Sequence, residues 1–268
     1  MAEEGASSVN REKIMKKYLL ILFTFAVLPL YASNVPSIIE KYRSVRPEQW
    51  SETVPGVRTR IRTDEKILAL TMDACGSKTD SLDEELIDFL IRERIPATLF
   101  ITSRWIDKYP DKFKRLAGNP LFEIENHGKE HRPASLTGRS IYGIEGTENA
   151  AALINEVADG ADKIEKLTGR RPIFFRSGTA YYDEYAVKLI QDLGFQSVGF
   201  AVLGDRGATY TAPEVVEAFL TSQPGDIIIC HMNHPEKETG KGLMKVLPIL
   251  KKQGYRFVLL KDYQDQLY

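Results

Sequence analysis

The sequence predicts an α/β protein whose strands form a distorted TIM-like (β/α) barrel of seven or eight strands. Short apolar runs alternate with amphipathic segments from residue 66 onward, which is typical of β-α units that build a parallel sheet. Seven such units fit within about 200 residues, and no glycine-rich dinucleotide fingerprint follows the first run, so a barrel is favoured over an open sheet. The strands are predicted at residues 66–71, 97–101, 122–126, 173–175, 196–200, 226–230 and 255–259.

The segments between these strands carry the signals of helices. Ser81 followed by Glu84 fits a capping box at a helix start. Gly194 and Gly254 stand where glycines commonly end helices in the left-handed conformation. Apolar residues at helical spacing predict the buried face of the first of these helices, formed by Leu82, Leu86, Phe89 and Leu90.

The chain divides into three predicted segments. Residues 1–33 comprise an N-terminal extension and a secretory signal peptide, because two lysines precede an apolar run at 18–30 and small residues follow it. That run is shorter than the roughly 20 residues of a typical membrane span, so we expect a secreted or periplasmic protein cleaved near Ser33. An uncleaved membrane anchor is the weaker alternative. Residues 34–65 form an irregular lead-in, and residues 66–268 form the functional domain.

Composition and charge exclude several classes of protein. Hydrophobic residues make up 43% and charged residues 27% of the 268, which is globular composition and excludes a disordered or collagen-like chain. The formal net charge of −1 provides no positive field for a phosphate backbone, so nucleic acid is not an expected partner. Cys75 and Cys230 are either one disulfide or two free thiols, and two small buried residues is the preferred interpretation. Residues 1–14 suit neither a signal peptide nor a packed element, so Met15 is an alternative start.

All four histidines of the chain fall in two of the loops that follow predicted strands, where a barrel builds its active site. His127 and His131 are four residues apart, which on one helical turn directs two imidazoles at one metal ion. Asp73 follows the first strand, where an unpaired carboxylate is costly and a metal ligand or general base is favoured. The structural alternatives are surface or capping histidines and a helix-capping aspartate.

Three further polar residues end or follow predicted strands. His231 ends the strand at 226–230, so its imidazole is a candidate general acid or base. Arg176 and Asp205 either pair with each other or orient Asp73, since a fixed guanidinium keeps a carboxylate ionised. A buried structural histidine and a structural salt bridge are the alternatives.

Four motifs in a fixed order carry a resemblance to a known family. LALTMDACG, FEIENHGKEHRP, RRPIFFRSG and GDIIICH resemble, in that order, T-F-D-D-G, E-I-G-N-H-x-x-x-H-P, P-x-x-F-R-P-P and G-x-I-I-L-x-H. These are motifs of the polysaccharide deacetylase family, also called the NodB-homology domain or carbohydrate esterase family four. The resemblance covers roughly residues 66–262. It implies a barrel of the NodB-homology type and identifies residues 66–268 as a deacetylase catalytic domain.

The resemblance also implies an activity and a cofactor. The activity is metal-dependent hydrolysis that removes N-acetyl groups from an N-acetylhexosamine polysaccharide, with release of acetate. Peptidoglycan, a chitin-like oligomer and an exopolysaccharide all satisfy this description, and the metal is expected to be Zn²⁺, ahead of Co²⁺ or Mn²⁺. The implied roles are Asp73 as general base, His127 and His131 as metal ligands, His231 as general acid, and Arg176 and Asp205 as supporting residues.

The chain departs from the family pattern at the second aspartate of the first motif, which is usually the third metal ligand and here is Ala74. The third ligand is then Asp73 itself, Cys75, a second water or the substrate, and we expect Asp73 to contact the metal. The motif around Arg176 also lacks its usual proline, so the pocket walls differ from the family pattern. The predicted substrate-binding residues are Trp105, Tyr181, Asn233 and His234.

Two other functions stay open. An O-acetyl esterase or another amidase fits the same barrel, because an activated water attacks an ester as well as an amide. A non-catalytic carbohydrate-binding protein results if the loss of the acid at Ala74 has abolished metal binding. Retention of Asp73 together with His231 argues against this, because a binding protein needs neither a general base nor a general acid. No protein partner is inferred, and contact with a membrane is expected only in transit, through the signal peptide.

Overall fold

The computed structural model describes residues 28–268. The chain forms two units, Met1–Lys41 and Tyr42–Tyr268. The described residues of the first unit belong to helix α1, Leu28–Tyr42. No helix of the described part of the chain is both long and apolar enough to cross a membrane. Most of the predicted signal peptide lies outside the described residues, and it stays a prediction.

Helix α1 corrects the prediction that residues 34–65 are irregular throughout. The chain is helical up to Tyr42, because residues 37–41 contain no glycine or proline after Pro36. The remainder of the lead-in belongs to the larger unit, is extended or bent, and forms isolated bridges with other segments of that unit. Arg58 forms a parallel bridge with Val198, and Arg60 forms an antiparallel bridge with Asp226.

The second unit is built on one parallel sheet of eight strands, in the order β5-β4-β3-β2-β1-β7-β6, with β8 paired to the start of β1. The end strands β5 and β6 are not paired with each other, so the sheet curls without closing. This confirms the predicted distorted barrel. The strands are β1 Ile67–Ala74, β2 Ala97–Ile101, β3 Phe122–Asn126, β4 Phe174–Phe175, β5 Gln196–Ser197, β6 Val202–Leu203, β7 Ile227–His231 and β8 Arg256–Phe257.

Helices cover the outer face of the sheet and bury a large apolar cluster against it. The first of them begins at Glu84, where the Asp83 side chain accepts a hydrogen bond from the Leu86 backbone N–H at 3.0 Å. The predicted capping box at Ser81 is therefore wrong, because Asp83 is the nearer cap. The helices are α2 Glu84–Glu93, α3 Ser103–Lys108, α4 Pro110–Ala117, α5 Ala150–Thr168, α6 Glu184–Asp192, α7 Ala212–Leu220 and α8 Thr239–Lys252.

The inner face of β3 carries two buried acids, Glu123 and Glu125. Thr98 Oγ1 donates to Glu123 at 2.7 Å, and the backbone N–H of Phe174 donates to Glu125 at 2.8 Å. Burial, and then the neighbouring Glu123 carboxylate, raise the pKa of Glu125 well above its usual value. Arg170 lies 3.7 Å from Glu125 and offsets this only in part.

The raised pKa of Glu125 makes stability depend on pH. The folded state holds its proton to a higher pH than the unfolded chain does, so stability is full below about pH 4.5 and falls as pH rises toward the folded pKa. We expect Glu125→Gln to be more stable than wild type at pH 8, with the difference shrinking toward pH 4. Urea unfolding across this range measures it, with Glu165→Gln on the exposed side of α5 as the control. A difference that does not grow with pH contradicts the prediction.

Candidate active site

The carboxyl ends of β1 and β7 place an acid and an imidazole side by side. Asp73 and His231 are register partners on these neighbouring parallel strands, and both face a cavity of about 580 Å³. Because the strands run in parallel, both side chains emerge at the same end of the barrel, as a barrel active site requires. The other residues around the cavity are Glu52, His131, Tyr142, Ile144, Thr179, Phe200, Leu203, Arg206, Gly207, Thr209 and Ile229.

Asp73 is held by a fully buried arginine. Arg176 Nη1 donates to Asp73 Oδ1 at 2.7 Å, and Arg176 Nη2 donates to the carbonyl of Gly199 at 2.9 Å. The guanidinium also lies over the Phe100 ring, 4.2 Å from its centroid. One carboxylate oxygen is thereby fixed by a strong charged hydrogen bond, and Oδ2 is left on the side of the histidines. Of the two alternatives for Arg176, the structure shows the one in which it orients Asp73.

His231 is paired with Asp205. The Nδ1 atom of His231 lies 3.0 Å from Asp205 Oδ1, and Asp205 Oδ2 accepts the backbone N–H of His231 at 2.7 Å. Burial by itself lowers the pKa of His231, but the Asp205 carboxylate outweighs it and raises this pKa well above 6.5. Burial likewise opposes ionisation of Asp205, yet His231 lowers its pKa. Asp205 therefore holds Nδ1 of His231 and favours its protonated form. Asp205 does not pair with Arg176 or Asp73, which corrects that alternative.

His127 and His131 lie together in a loop, not on a helix. Residues 127–131 follow β3 without helical structure, and His131 has a φ of +62°. The prediction of one helical turn is therefore wrong, although the two rings do meet, with centroids 4.8 Å apart. Gly128, at a φ of +89°, permits the turn between them.

A buried acid on α5 holds this loop in place. The Glu156 carboxylate accepts the backbone N–H groups of Glu130 at 3.0 Å and Arg132 at 3.1 Å. A Cβ atom on Gly128 would lie 2.2 Å from Glu156 Oε1, so the close approach requires glycine there. No sequence pattern indicated this role, because Glu156 lies in the middle of a helix that is separated from the histidine motif along the chain.

The histidine loop and the end of β1 together form a group suited to a metal ion. His127 Nδ1 lies 2.9 Å from the Arg176 carbonyl, which assigns the proton to Nδ1 and leaves Nε2 free to bind a metal. Ligand atoms of Cys75, His127 and His131 all lie within 4.8 Å of one another. Loss of hydration raises the pKa of the Cys75 thiol, but His131 and the other imidazoles around it lower it well below 9.0. These donors fit a borderline divalent ion such as Zn²⁺.

Asp73, the predicted third ligand, is not a member of this group of three. Its Oδ2 atom lies 3.5 Å from His127 Nε2, so it borders the group. Its predicted contact with a metal stays a prediction. Cys75 and Cys230 are both free thiols, which agrees with the preferred interpretation, although only Cys230 is buried and Cys75 is of intermediate exposure.

Two of the predicted substrate-binding residues are in the core. Trp105 is fully buried, and its indole N–H donates to the Ser81 carbonyl at 2.9 Å. Asn233 is also buried and donates to Asp80 at 2.9 Å. Both predictions are wrong, because sequence position beside a strand end does not tell which way a side chain points. His234 is partly exposed and lies 3.3 Å from Glu236, and its predicted contact with substrate stays a prediction.

Tyr181 belongs to a row of aromatic rings that reaches the cavity at Tyr142. Its ring centroid lies 5.6 Å from that of Trp50 and 5.9 Å from that of Tyr142. Tyr142 lines the cavity and is 72% exposed. Sequence reasoning missed Tyr142, Glu52 and Arg206 at the cavity because they lie in long loops and in the lead-in, away from any motif. The predicted contact of Tyr181 with substrate stays a prediction.

Ionisable side chains gather around a cavity at the carboxyl end of a parallel barrel, which is where enzymes of barrel folds carry their active sites. A family model described as polysaccharide deacetylase matches residues 60–198, more than half of the chain. The chain belongs to the polysaccharide deacetylase family, as the four motifs predicted. This membership supports the predicted class of enzyme, a hydrolase acting on amide bonds of a polysaccharide.

Three similar proteins illustrate the family. A peptidoglycan-N-acetylglucosamine deacetylase of Bacillus cereus is 27% identical over 213 residues, 77% of this chain and 92% of that protein. The structure of a family 4 pseudoenzyme from Bacillus anthracis superposes with a TM-score of 0.65 at 19% identity, over 80% of this chain and 70% of that one. A family 4 acetyl xylan esterase from Clostridium thermocellum, in complex with a cobalt ion, has a TM-score of 0.59 at 25% identity, over 74% of this chain and 90% of that one.

Proposed function

We propose that this chain is an exported, metal-dependent hydrolase that removes N-acetyl groups from amino sugars of a cell-wall polysaccharide, with peptidoglycan as the leading substrate. The observation that carries the proposal is a pair of candidate catalytic side chains at one cavity, each held by a buried partner. Asp73 is held by Arg176 and His231 by Asp205, and both lie beside the group suited to a metal ion. The similarity to the Bacillus cereus deacetylase supports peptidoglycan as the substrate. The signal-peptide pattern at residues 1–33 supports export.

The residues divide the reaction between them. His127 and His131 would hold a metal ion, which would supply Lewis acidity to lower the pKa of a water and polarise the amide carbonyl. Asp73 accepts the proton of the attacking water on Oδ2, because Oδ1 is held by Arg176. Arg176 holds Asp73 in position for this purpose.

His231 serves the leaving group. With Nδ1 held by Asp205, its Nε2 atom faces the cavity and donates a proton to the amine nitrogen as the carbon–nitrogen bond breaks. The products are acetate and a free amino sugar. Against the effect of burial, the Asp205 carboxylate raises the pKa of His231, which favours the protonated imidazole that this step uses.

Acetate release from the full chain tests the proposal. The protein is stripped with a chelator and reloaded with Zn²⁺, Co²⁺ or Mn²⁺, and metal content and acetate are measured on peptidoglycan, N-acetylglucosamine oligomers and acetylated xylan. We expect one metal per chain and metal-dependent acetate from an N-acetylated substrate, abolished in Asp73→Asn. Acetate from xylan alone establishes the esterase alternative instead. Metal binding without acetate from any substrate, or no metal binding, favours a carbohydrate-binding protein.

A further inference from the structure

Ala74 supplies no ligand atom for a metal in this chain. Its side chain is fully buried in the apolar cluster between sheet and helices, which also contains Leu82 and Trp105. Successive side chains of a strand point to opposite faces, so Asp73 points to the barrel mouth and Ala74 points away from it.

Cys75 follows Ala74 in the chain and lies on the side of the histidines. Its Sγ atom lies 3.9 Å from His127 Nε2. Of the histidine, cysteine and acidic residues described in 28–268, Cys75, His127 and His131 form the one group of three whose ligand atoms all lie within 4.8 Å of one another. The backbone fixes Cys75 here, because its carbonyl accepts hydrogen bonds from Thr102 Oγ1 at 3.0 Å and Arg104 Nη2 at 3.1 Å.

We propose that the Cys75 thiolate is the third protein ligand of the metal and that Asp73 acts as the base without binding it. On binding, the thiol proton leaves to solvent and the sulfur donates an electron pair to the ion. The hydrogen bond from Arg176 to Asp73 Oδ1 agrees with these separate roles of Cys75 and Asp73. A thiolate with two imidazoles favours Zn²⁺ or Co²⁺ over Mn²⁺. The inference rests on the proposed function, since it concerns the metal of that same site.

Cobalt binding by the full chain tests the inference, because a cobalt–thiolate bond has a charge-transfer absorption in the near ultraviolet that cobalt–imidazole and cobalt–carboxylate bonds lack. We expect wild type to develop this band and to saturate at one Co²⁺ per chain. Cys75→Ser should lack the band and bind Co²⁺ at least about 10-fold more weakly. Cys230→Ser is the matched control and should keep the band. Cys230 is buried in the apolar cluster, and its thiol donates a hydrogen bond to the Thr71 carbonyl.

A second measurement needs no variant. Alkylation of Cys75 by iodoacetamide, mapped by mass spectrometry, should be slower in the cobalt-loaded wild-type chain than in the stripped chain. Equal alkylation in the two forms, or a band that persists in Cys75→Ser, overturns the inference. Cobalt binding and acetate release without the band overturn the inference and leave the proposed function standing. If wild type binds no cobalt or zinc, both fail.

Discussion

Replacing His231 by alanine is expected to leave the metal bound while acetate release falls by a factor of roughly 10²–10⁴. His231 donates to the leaving group but stands outside the group of Cys75, His127 and His131. The variant should therefore lose proton donation to the leaving group and keep its affinity for the metal. Metal content after dialysis and single-turnover acetate release, measured on the same sample, separate the two effects.

The counterpart is His127→Ala, which should lose the metal and the activity together. The imidazole is held by the Arg176 carbonyl with Nε2 directed at the group, and loss of a ligand should cost more affinity than the roughly 10–100-fold expected for an outer-shell partner. Circular dichroism confirms that both variants are folded. Equal loss of metal in His127→Ala and His231→Ala would contradict the division of roles between ligand and acid.

The sequence predicted the fold well where strands are long and apolar. The central strands β1, β2, β3 and β7 lie within a few residues of their predicted bounds, because each is a buried run of five to eight residues. The two-residue strand β6, Val202–Leu203, was missed. Such a short strand has no pattern of its own and exists because β7 offers it hydrogen-bond partners.

The predicted site residues come together because parallel strands end at one edge. This brought Asp73, Arg176 and His231 to one end of the barrel as expected. Which acid pairs with which base depends on the curl of the sheet, so the pairing of Asp205 with His231 was not decided by the sequence. Which of the other predicted residues reach the cavity depends on the direction of their side chains. Trp105 lies on the six-residue helix α3 and Tyr142 in a loop, and both segments are too short or irregular for periodicity to predict which way a side chain points.

The assignment of the third metal ligand shows the same limit. Strand alternation separates Asp73 from Ala74, but the sequence does not show where the strand ends, and so the direction of Cys75 was open. In the structure β1 ends at Ala74, and Cys75 opens the loop that faces the histidines.

Arg176→Met is expected to destabilise the protein by about 3–5 kcal/mol and to abolish acetate release. Arg176 and Asp73 are both almost completely buried, with 2.7 Å between Nη1 and Oδ1, so removal of the guanidinium leaves a buried carboxylate without its counter-charge. Asp73 also loses the hydrogen bond that directs its other oxygen toward the histidines, so it no longer serves as the base. Urea unfolding at pH 7 measures the stability, and acetate release measures the base.

Two further variants test whether the stability lost in Arg176→Met comes from the buried charge pair or from the other contacts of Arg176. Lys163→Met breaks the exposed pair with Asp107 and should cost no more than about 1 kcal/mol. The double variant Asp73→Asn with Arg176→Met removes both buried charges and should regain part of the stability lost in Arg176→Met, while staying inactive. If the double variant is as unstable as the single one, the loss comes from the carbonyls of Val198 and Gly199 that Arg176 also binds, and the charge pair is not its main cause.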